Sequence, residues 1–348
     1  MSQEFRMPLS KSSEQRFPSR NALVSVVVPC FNEEEMLQDT NRRLIAALER
    51  MPVKFEIIYV DDGSADSTLE ILREMAGQDE RIRVVGFSRN FGHQMAITAG
   101  LEHAGGHAVV VIDADLQDPP EVILEFVRKW MDGYDVAYGV RAERDGESAF
   151  KLWTAKVFYR CIDRLSDTRI PLDTGDFRLM DRRVVDALLS MQERDRFVRG
   201  MVSWLGFSQV AVRYRRAARP AGVTKFSFFK MVRFALDGIF SFSVLPLRLA
   251  TWTGFLASGL AVFAILYSAY ARIFGSGWVK GWTSTVIAVL FLGGVQLVSL
   301  GLIGEYVGRI YGETKRRPLY VVRERMGFEL PSQAEVHAMK SRAASGRF

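Results

Sequence analysis

The chain has 348 residues, 48% of them hydrophobic, with 46 Lys+Arg against 40 Asp+Glu and a formal net charge of +6. That composition is globular rather than disordered, with length for one large domain plus an appendage. Two cysteines, Cys30 and Cys161, give no disulfide framework, four scattered histidines (His93, His103, His107, His337) lack zinc-type spacing, and no aromatic-interleaved basic patch points to nucleic acid.

Residues 1–20 are polar, with no apolar signal core, and read as a disordered tail that exports nothing. Leu23–Pro29 (LVSVVVP) reads as a first strand, followed by Cys30-Phe31-Asn32-Glu33-Glu34 and a helix to about Arg50. Phe55–Val60 is a second strand running into Asp61-Asp62-Gly63-Ser64-Ala65-Asp66-Ser67-Thr68. There Gly63 permits a tight turn, and Asp66 or Ser67 can cap the next helix. Ile82–Phe87 is a third strand, after which Ser88-Arg89-Asn90-Phe91-Gly92 leads into a helix through His103. Val109–Ile112 is a fourth, ending in Asp113-Ala114-Asp115-Leu116-Gln117-Asp118-Pro119-Pro120, and Asp135–Tyr138 a fifth. Strands alternating with helices over short connections predict a doubly wound, mainly parallel α/β sheet.

In such a sheet, ligands gather outside the carboxyl ends of the strands. Three polar clusters fall on that rim: Asn32 with Glu33, Asp61 with Asp62, and Asp113 with Asp115. Asp113 and Asp115 have no lysine or arginine beside them in sequence, so the two carboxylates repel unless a cation lies between them. Oxygen ligands of this type suit Mg2+ or Mn2+. Alone, the Asp-x-Asp pair reads more simply as a solvated turn in which Asp118 caps the helix opened by Pro119. Three such clusters on one rim favour a site.

The C-terminal part is apolar. Leu249–Ala271 and Gly281–Gly304 carry no charge, and as helices each reaches roughly 35 Å, enough to cross the hydrocarbon core of a bilayer. Arg233 and Arg248 precede the first span; Arg309, Lys315, Arg316, Arg317, Arg323 and Arg325 follow the second. Basic flanks stay cytoplasmic, which places both termini and the large domain inside. The net positive charge fits anionic lipid at these flanks. Phe226–Leu247, rich in phenylalanine with Lys230, Arg233 and Asp237 interspersed, reads as amphipathic helix lying in the interface. Gly301, Gly304 and Gly308 form a small-residue face suited to close packing, either within the helix pair or between copies of the chain in a homo-oligomer.

The ordered segments PCFNEE, VDDGSADST, SRNFGHQMA, DADLQDPP and TGDFRLMDRR resemble family 2 glycosyltransferases of the GT-A fold. They are most similar to the polyprenyl-phosphate branch, which includes dolichyl-phosphate mannose synthases and bacterial undecaprenyl-phosphate glucosyl- and aminoarabinosyltransferases. The resemblance runs from about Leu23 to Lys225, and the two spans resemble those of the bacterial members. It implies a GT-A domain over 21–225, juxtamembrane helices over 226–247, two transmembrane helices over 248–311 and a cytoplasmic tail over 312–348. It also implies that Asp61, with Pro29, Asn32, Glu33 and Gly63 around it, holds the nucleotide. Asp113 and Asp115 would hold the ribose and the metal, with Gln117 completing the metal shell, and Arg141 and Arg144 would meet phosphate oxygens.

Asp176 would orient sugar or acceptor, unless it only pairs with Arg178. Arg219 and Lys225 would meet the lipid phosphate, unless they only attach the chain to headgroups; Arg178 and Arg199 are then the alternative. No Gln-x-x-Arg-Trp segment follows, which argues against a polymerase. The implied reaction is metal-dependent, inverting transfer of a hexose to a polyprenyl phosphate, with Asp115, Asp176 and Arg141 as its catalytic residues. UDP-glucose is the first choice of donor; mannose, N-acetylhexosamine and aminoarabinose are the alternative sugars. A catalytically silent membrane-recruiting domain is the reading from another class, and the intact Asp113, Asp115 and Gln117 argue against it.

Overall fold

The computed structural model describes residues 22–141, 174–215, 245–274 and 282–328. Eight strands form one sheet: β1 (Leu23–Cys30), β2 (Lys54–Asp61), β3 (Ile82–Phe87), β4 (Ala108–Val111), β5 (Val136–Arg141), β6 (Thr174–Asp181), β7 (Gln209–Tyr214) and β8 (Val322–Met326), in spatial order β7-β5-β6-β4-β1-β2-β3-β8. The central β4-β1-β2-β3 block is parallel, as the sequence predicts. Outside it the sheet is mixed. β6 is antiparallel to both β4 and β5, β7 runs parallel to β5, and β8 is antiparallel to β3. A mainly parallel sheet therefore describes the centre, and the flanks depart from it.

The continuous valine runs follow from cover on both faces. One face of the sheet carries α1 (Leu37–Leu48), α2 (Thr68–Gln78) and α4 (Ile123–Met131), whose Leu44, Leu72 and Phe126 pack on Val26, Val28 and Val110. The other carries α3 (His93–His103), α5 (Arg182–Ser190) and α6 (Val198–Trp204), whose Ile97, Val185 and Met201 pack with Val27, Val109 and Val111. Asp66, rather than Ser67, accepts from the Thr68 N–H at the start of α2 (3.0 Å). Asp118 is not a helix cap: it is buried and accepts a hydrogen bond from the Tyr214 hydroxyl.

The two long C-terminal helices are α7 (Leu245–Phe274) and α8 (Trp282–Thr314), which pack against each other. Both leave large apolar side chains exposed, among them Phe263 at 70% and Leu297 at 72%, a surface that water does not stabilise. Within α8, Ile287–Thr314 is long and apolar enough to cross a membrane; in α7 the apolar run is the shorter Ala250–Phe263. Among the described residues, one of the two expected spans thus meets the full length. A Cβ added at Gly301, Gly304 or Gly308 would meet nothing within 4 Å, so the small-residue face of α8 is not where the described helices pack. The expected 312–348 tail is also redrawn, because Val322–Met326 returns to close the sheet beside β3.

Candidate active site

The sheet brings three loops together at one rim. Cys30 of β1 stands opposite Asp61 of β2, so Pro29 and Asn32 lie beside the second acidic cluster. Asn32 adopts a positive φ of 55°. Its N–H donates to Ser64 Oγ and its Oδ1 accepts from the Ala65 N–H, both at 2.9 Å, while the Glu33 N–H donates to Thr68 Oγ1 at 2.9 Å. These contacts zip the loop after β1 to the loop after β2, giving Asn32 a positioning role that its sequence context did not reveal. Gly63 has a φ of 68°, and a Cβ there would stand 2.3 Å from the backbone carbon of Arg89. Only glycine lets the third loop approach so closely.

The adjacent aspartates divide their work. Asp62 is buried and accepts from the N–H groups of Phe91 (2.7 Å) and Gly92 (3.0 Å), fixing the loop that opens α3. Asp61 is fully buried at the base of the rim, where burial pushes its carboxyl up and hydrogen bonds from Ser64 oppose the shift.

After β4, Leu116 sits at a φ of 53°, a strained conformation for a branched side chain, in a turn that lets Asp115 Oδ1 accept from the Gln117 N–H (3.1 Å). Asp113 Oδ1 is buried and has no hydrogen-bond partner; His93 Nε2 lies 3.5 Å away, within ion-pair range only. Burial pushes the Asp113 carboxyl up to about 6; His93 opposes this, while Asp176, Asp115 and Asp118 add to it. Among the described residues no three His, Cys, Asp or Glu side chains converge as a ready metal shell. The orphaned oxygen and the mutual repulsion nonetheless fit a hard cation, which Asp113, Asp115 and Gln117 would hold.

In the cation-free protein this strain has a measurable sign. A folded-state pKa near 6, against the ordinary 3.8, means the native state holds the extra proton between those values, so this group's contribution to stability falls as pH rises from about 4 to 6. Asp113→Asn is therefore expected to raise the unfolding midpoint in chelator at pH 7.5, with a smaller gain at pH 5. No gain at either pH, by thermal melts of both proteins, would show that the carboxylate is not strained.

Beside this pair lies a second cluster, on the face of β6. Asp176 is 6% exposed. Arg199 Nε donates to its Oδ1 (2.8 Å), and Arg199 Nη2 and Gln94 Nε2 donate to its Oδ2 (3.2 Å each), with His93 Nε2 at 3.4 Å. Burial alone would raise the Asp176 carboxyl, but His93 and Arg199 hold it far below the usual range. His93 has its own pKa raised: burial works against the proton, and Asp176 and Asp113 outweigh it. The hydrogen-bonded ion pair is thus with Arg199, not with the neighbouring Arg178. Arg178 is itself buried, opposite Val111 and Tyr138, and donates to the Gly175 carbonyl (3.0 Å) while its Nε has no partner. Burial lowers its guanidinium to about 10.

His93, Gln94 and Arg199 are the residues that motif reading left without a role in this cluster. His93 and Gln94 stand inside the SRNFGHQMA segment, but their convergence on Asp176 is tertiary. Arg141 ends β5 opposite Tyr214; its side chain and the whole of Arg144, Arg219 and Lys225 lie outside the described residues.

Acidic loops at the carboxyl ends of parallel strands, with a mixed arrangement of strands around them, make a GT-A-like α/β sheet. Residues 25–189 match Glycosyl transferase family 2 and residues 245–310 match the GtrB C-terminal hairpin. The chain belongs to glycosyl transferase family 2 and is a glycosyltransferase. It is 49% identical over 311 residues to the uncharacterized glycosyltransferase YkcC of Bacillus subtilis, covering 89% of this chain and 96% of that one. It is 41% identical over 304 residues to the bactoprenol glucosyl transferase of Shigella phage SfV, covering 86% and 98%. Among solved structures, the mannosyltransferase PcManGT from Pyrobaculum calidifontis in complex with GDP-Man and Mn2+ aligns with a TM-score of 0.43 and 18% identity, covering 81% and 88%.

Proposed function

We propose that this enzyme transfers glucose from UDP-glucose to a polyprenyl phosphate, with inversion, at the cytoplasmic face of the membrane. The observation that carries the reading is the 41% identity along nearly the whole length of a bactoprenol glucosyl transferase, and the match to the GtrB C-terminal hairpin supports it. Asp61, Pro29, Glu33 and Gly63 form the nucleotide end of the rim. A divalent Mg2+ or Mn2+ held by Asp113, Asp115 and Gln117 would supply charge neutralisation of the diphosphate leaving group. The acceptor phosphate oxygen is already anionic near neutral pH, so the chain need position it rather than deprotonate it. Asp176, fixed by Arg199 and Gln94, would orient the sugar or the acceptor, and its contacts with those two residues support that reading. Arg141 and Arg144 contribute cationic forks to phosphate oxygens, and Arg219 and Lys225 meet the lipid phosphate at headgroup level.

The test is to incubate purified full-length protein with polyprenyl phosphate and a panel of UDP- and GDP-sugars with Mg2+ or Mn2+. Glucosyl-lipid formed selectively from UDP-glucose is expected; a preference for another sugar would overturn the donor assignment. Titrating the lipid against Arg219→Ala and Lys225→Ala in the same assay addresses the acceptor, and unchanged lipid dependence would leave those residues as membrane anchors.

The topology follows from the basic flanks of α7 and α8. A reporter fused after Phe348 is expected to behave as cytoplasmic, and one inserted near Gly275 as external. The reverse pattern would separate the active site from its nucleotide donor.

A further inference from the structure

The segment that leaves the membrane-crossing helix touches both arms of the Asp176 cluster. At the foot of α8, Glu313 Oε1 accepts from the backbone N–H of Arg194 at 2.8 Å, and Arg194 Nη1 donates to the Arg317 carbonyl at 2.6 Å. Arg309 Nη1 reaches Asp195 at 3.2 Å. These contacts hold the connection between α5 and α6. That connection is stiff in itself, because the buried Arg196 donates back to the carbonyls of Met191 and Glu193. It feeds directly into α6, whose first N–H, at Val198, donates to Gln94 Oε1 (3.0 Å), and whose next residue is Arg199 on Asp176. A chain of named contacts thus runs from Glu313 to the Asp176 carboxylate.

The second arm starts a few residues later. The Val321 carbonyl accepts from the Ser88 N–H (3.0 Å), the Tyr320 ring stacks on Phe87 with centroids 4.8 Å apart, and the Tyr320 hydroxyl donates to Glu102 of α3. Phe87 in turn meets Phe91 edge-on at 5.7 Å. Phe91 belongs to the loop that Asp62 fixes, and that loop ends at His93. The segment from Arg309 to Val322 therefore braces the supports of Arg199 on one side and of His93 on the other.

We propose that this segment sets the geometry of the Asp176 cluster, with Glu313 and Tyr320 as positioning residues that act through Arg199 and His93 respectively. The proposal rests on the reading of that cluster as part of the transferase site. Its physical content is that turnover depends on contacts made outside the site by the chain that has just left the membrane. Misplacement on the scale of an ångström is enough to matter, since orientation of reacting groups supplies a large part of a transfer barrier.

The test uses the full-length protein in lipid nanodiscs, with UDP-glucose and polyprenyl phosphate. Glu313→Ala is expected to lower kcat about tenfold with the donor KM within about twofold of wild type, and Glu313→Gln, which keeps a carbonyl acceptor for the Arg194 N–H, to recover most of the loss. In an Arg199→Ala background the Glu313→Ala change should add nothing, because the two act in series. Tyr320→Ala should behave alike against a His93→Ala background, with Tyr320→Phe milder because it retains the stacked ring. Wild-type kcat in Glu313→Ala, or a full additive loss in the Arg199→Ala background, overturns the proposal. If Glu313→Ala does not fold, Arg194→Ala, which removes the contact to the Arg317 carbonyl, takes its place alone and in the Arg199→Ala background, and wild-type kcat there overturns the proposal. Failure of the wild-type protein to transfer glucose would remove the functional reading and this proposal together, whereas wild-type turnover with an indifferent Glu313 removes this proposal alone.

Discussion

Asp115→Asn is expected to reduce glucosyl transfer by at least about a hundredfold, since assistance to a diphosphate leaving group by a bound cation is worth several kcal/mol. Asparagine is nearly isosteric and keeps the Oδ1 that accepts from the Gln117 N–H, so the turn around Leu116 should survive and the unfolding midpoint should change little. The divalent-ion requirement should go with the activity. Two measurements check this: turnover against Mg2+ or Mn2+ concentration for both proteins, and wild-type turnover in excess chelator. Wild-type rates in chelator would sink the cation role of Asp113, Asp115 and Gln117 outright.

Asp176→Asn is expected to be as damaging to turnover, about a hundredfold, and to cost stability as well. Removing this charge leaves Arg199 without its carboxylate partner and takes away the electrostatic support that the buried Arg178 draws from it. Removal of one partner of a fully buried pair costs about 3–5 kcal/mol; with Arg199 28% exposed, about 2 kcal/mol is the expected loss. The ionised carboxylate contributes its stabilisation at every pH above its unfolded value, and loses it only as pH falls toward its strongly depressed folded value. The share of the variant's deficit owed to the Arg199 pair should therefore be flat from pH 5 to 8 in denaturant titrations. A deficit present at pH 5 and gone by pH 8 would assign the effect to His93 instead, because a histidine whose pKa is raised by Asp176 stabilises the fold only while it is protonated.

The parallel centre of the sheet was legible because βαβ units write themselves locally: a valine run, a polar turn, an amphipathic helix. The rim carboxylates were legible for the same reason, since each follows its strand directly. What escaped was whatever depends on partners distant in sequence. β6 is an antiparallel insertion between β4 and β5, and TGDFRLMD, with its alternating polar residues, looks like a functional loop until Phe177 and Leu179 are seen facing one core cluster and Met180 the other. β8 is too short and charged (VRERM) to be read as a strand by itself, and only the open edge of β3 makes it one. His93 was judged by its spacing to other histidines, a test for zinc that says nothing about two aspartates arriving from β4 and β6. Arg178 and Asp176 stand two apart on a strand and share a face, which suggests a pair; the bidentate geometry goes to Arg199 because α6 presents the Nε–Nη2 edge of its guanidinium to the carboxylate.

The closure of the sheet by β8 also bears on biogenesis. The strand that covers the β3 edge is made by the ribosome only after both long helices, so the sheet cannot be completed until those helices have been made. Through that interval β3 presents unpaired backbone along Val84–Phe87, an edge open to pairing with other chains. A fragment ending at residue 225 keeps that edge open permanently, and its solubility, rather than its chemistry, is what the missing strand would change first.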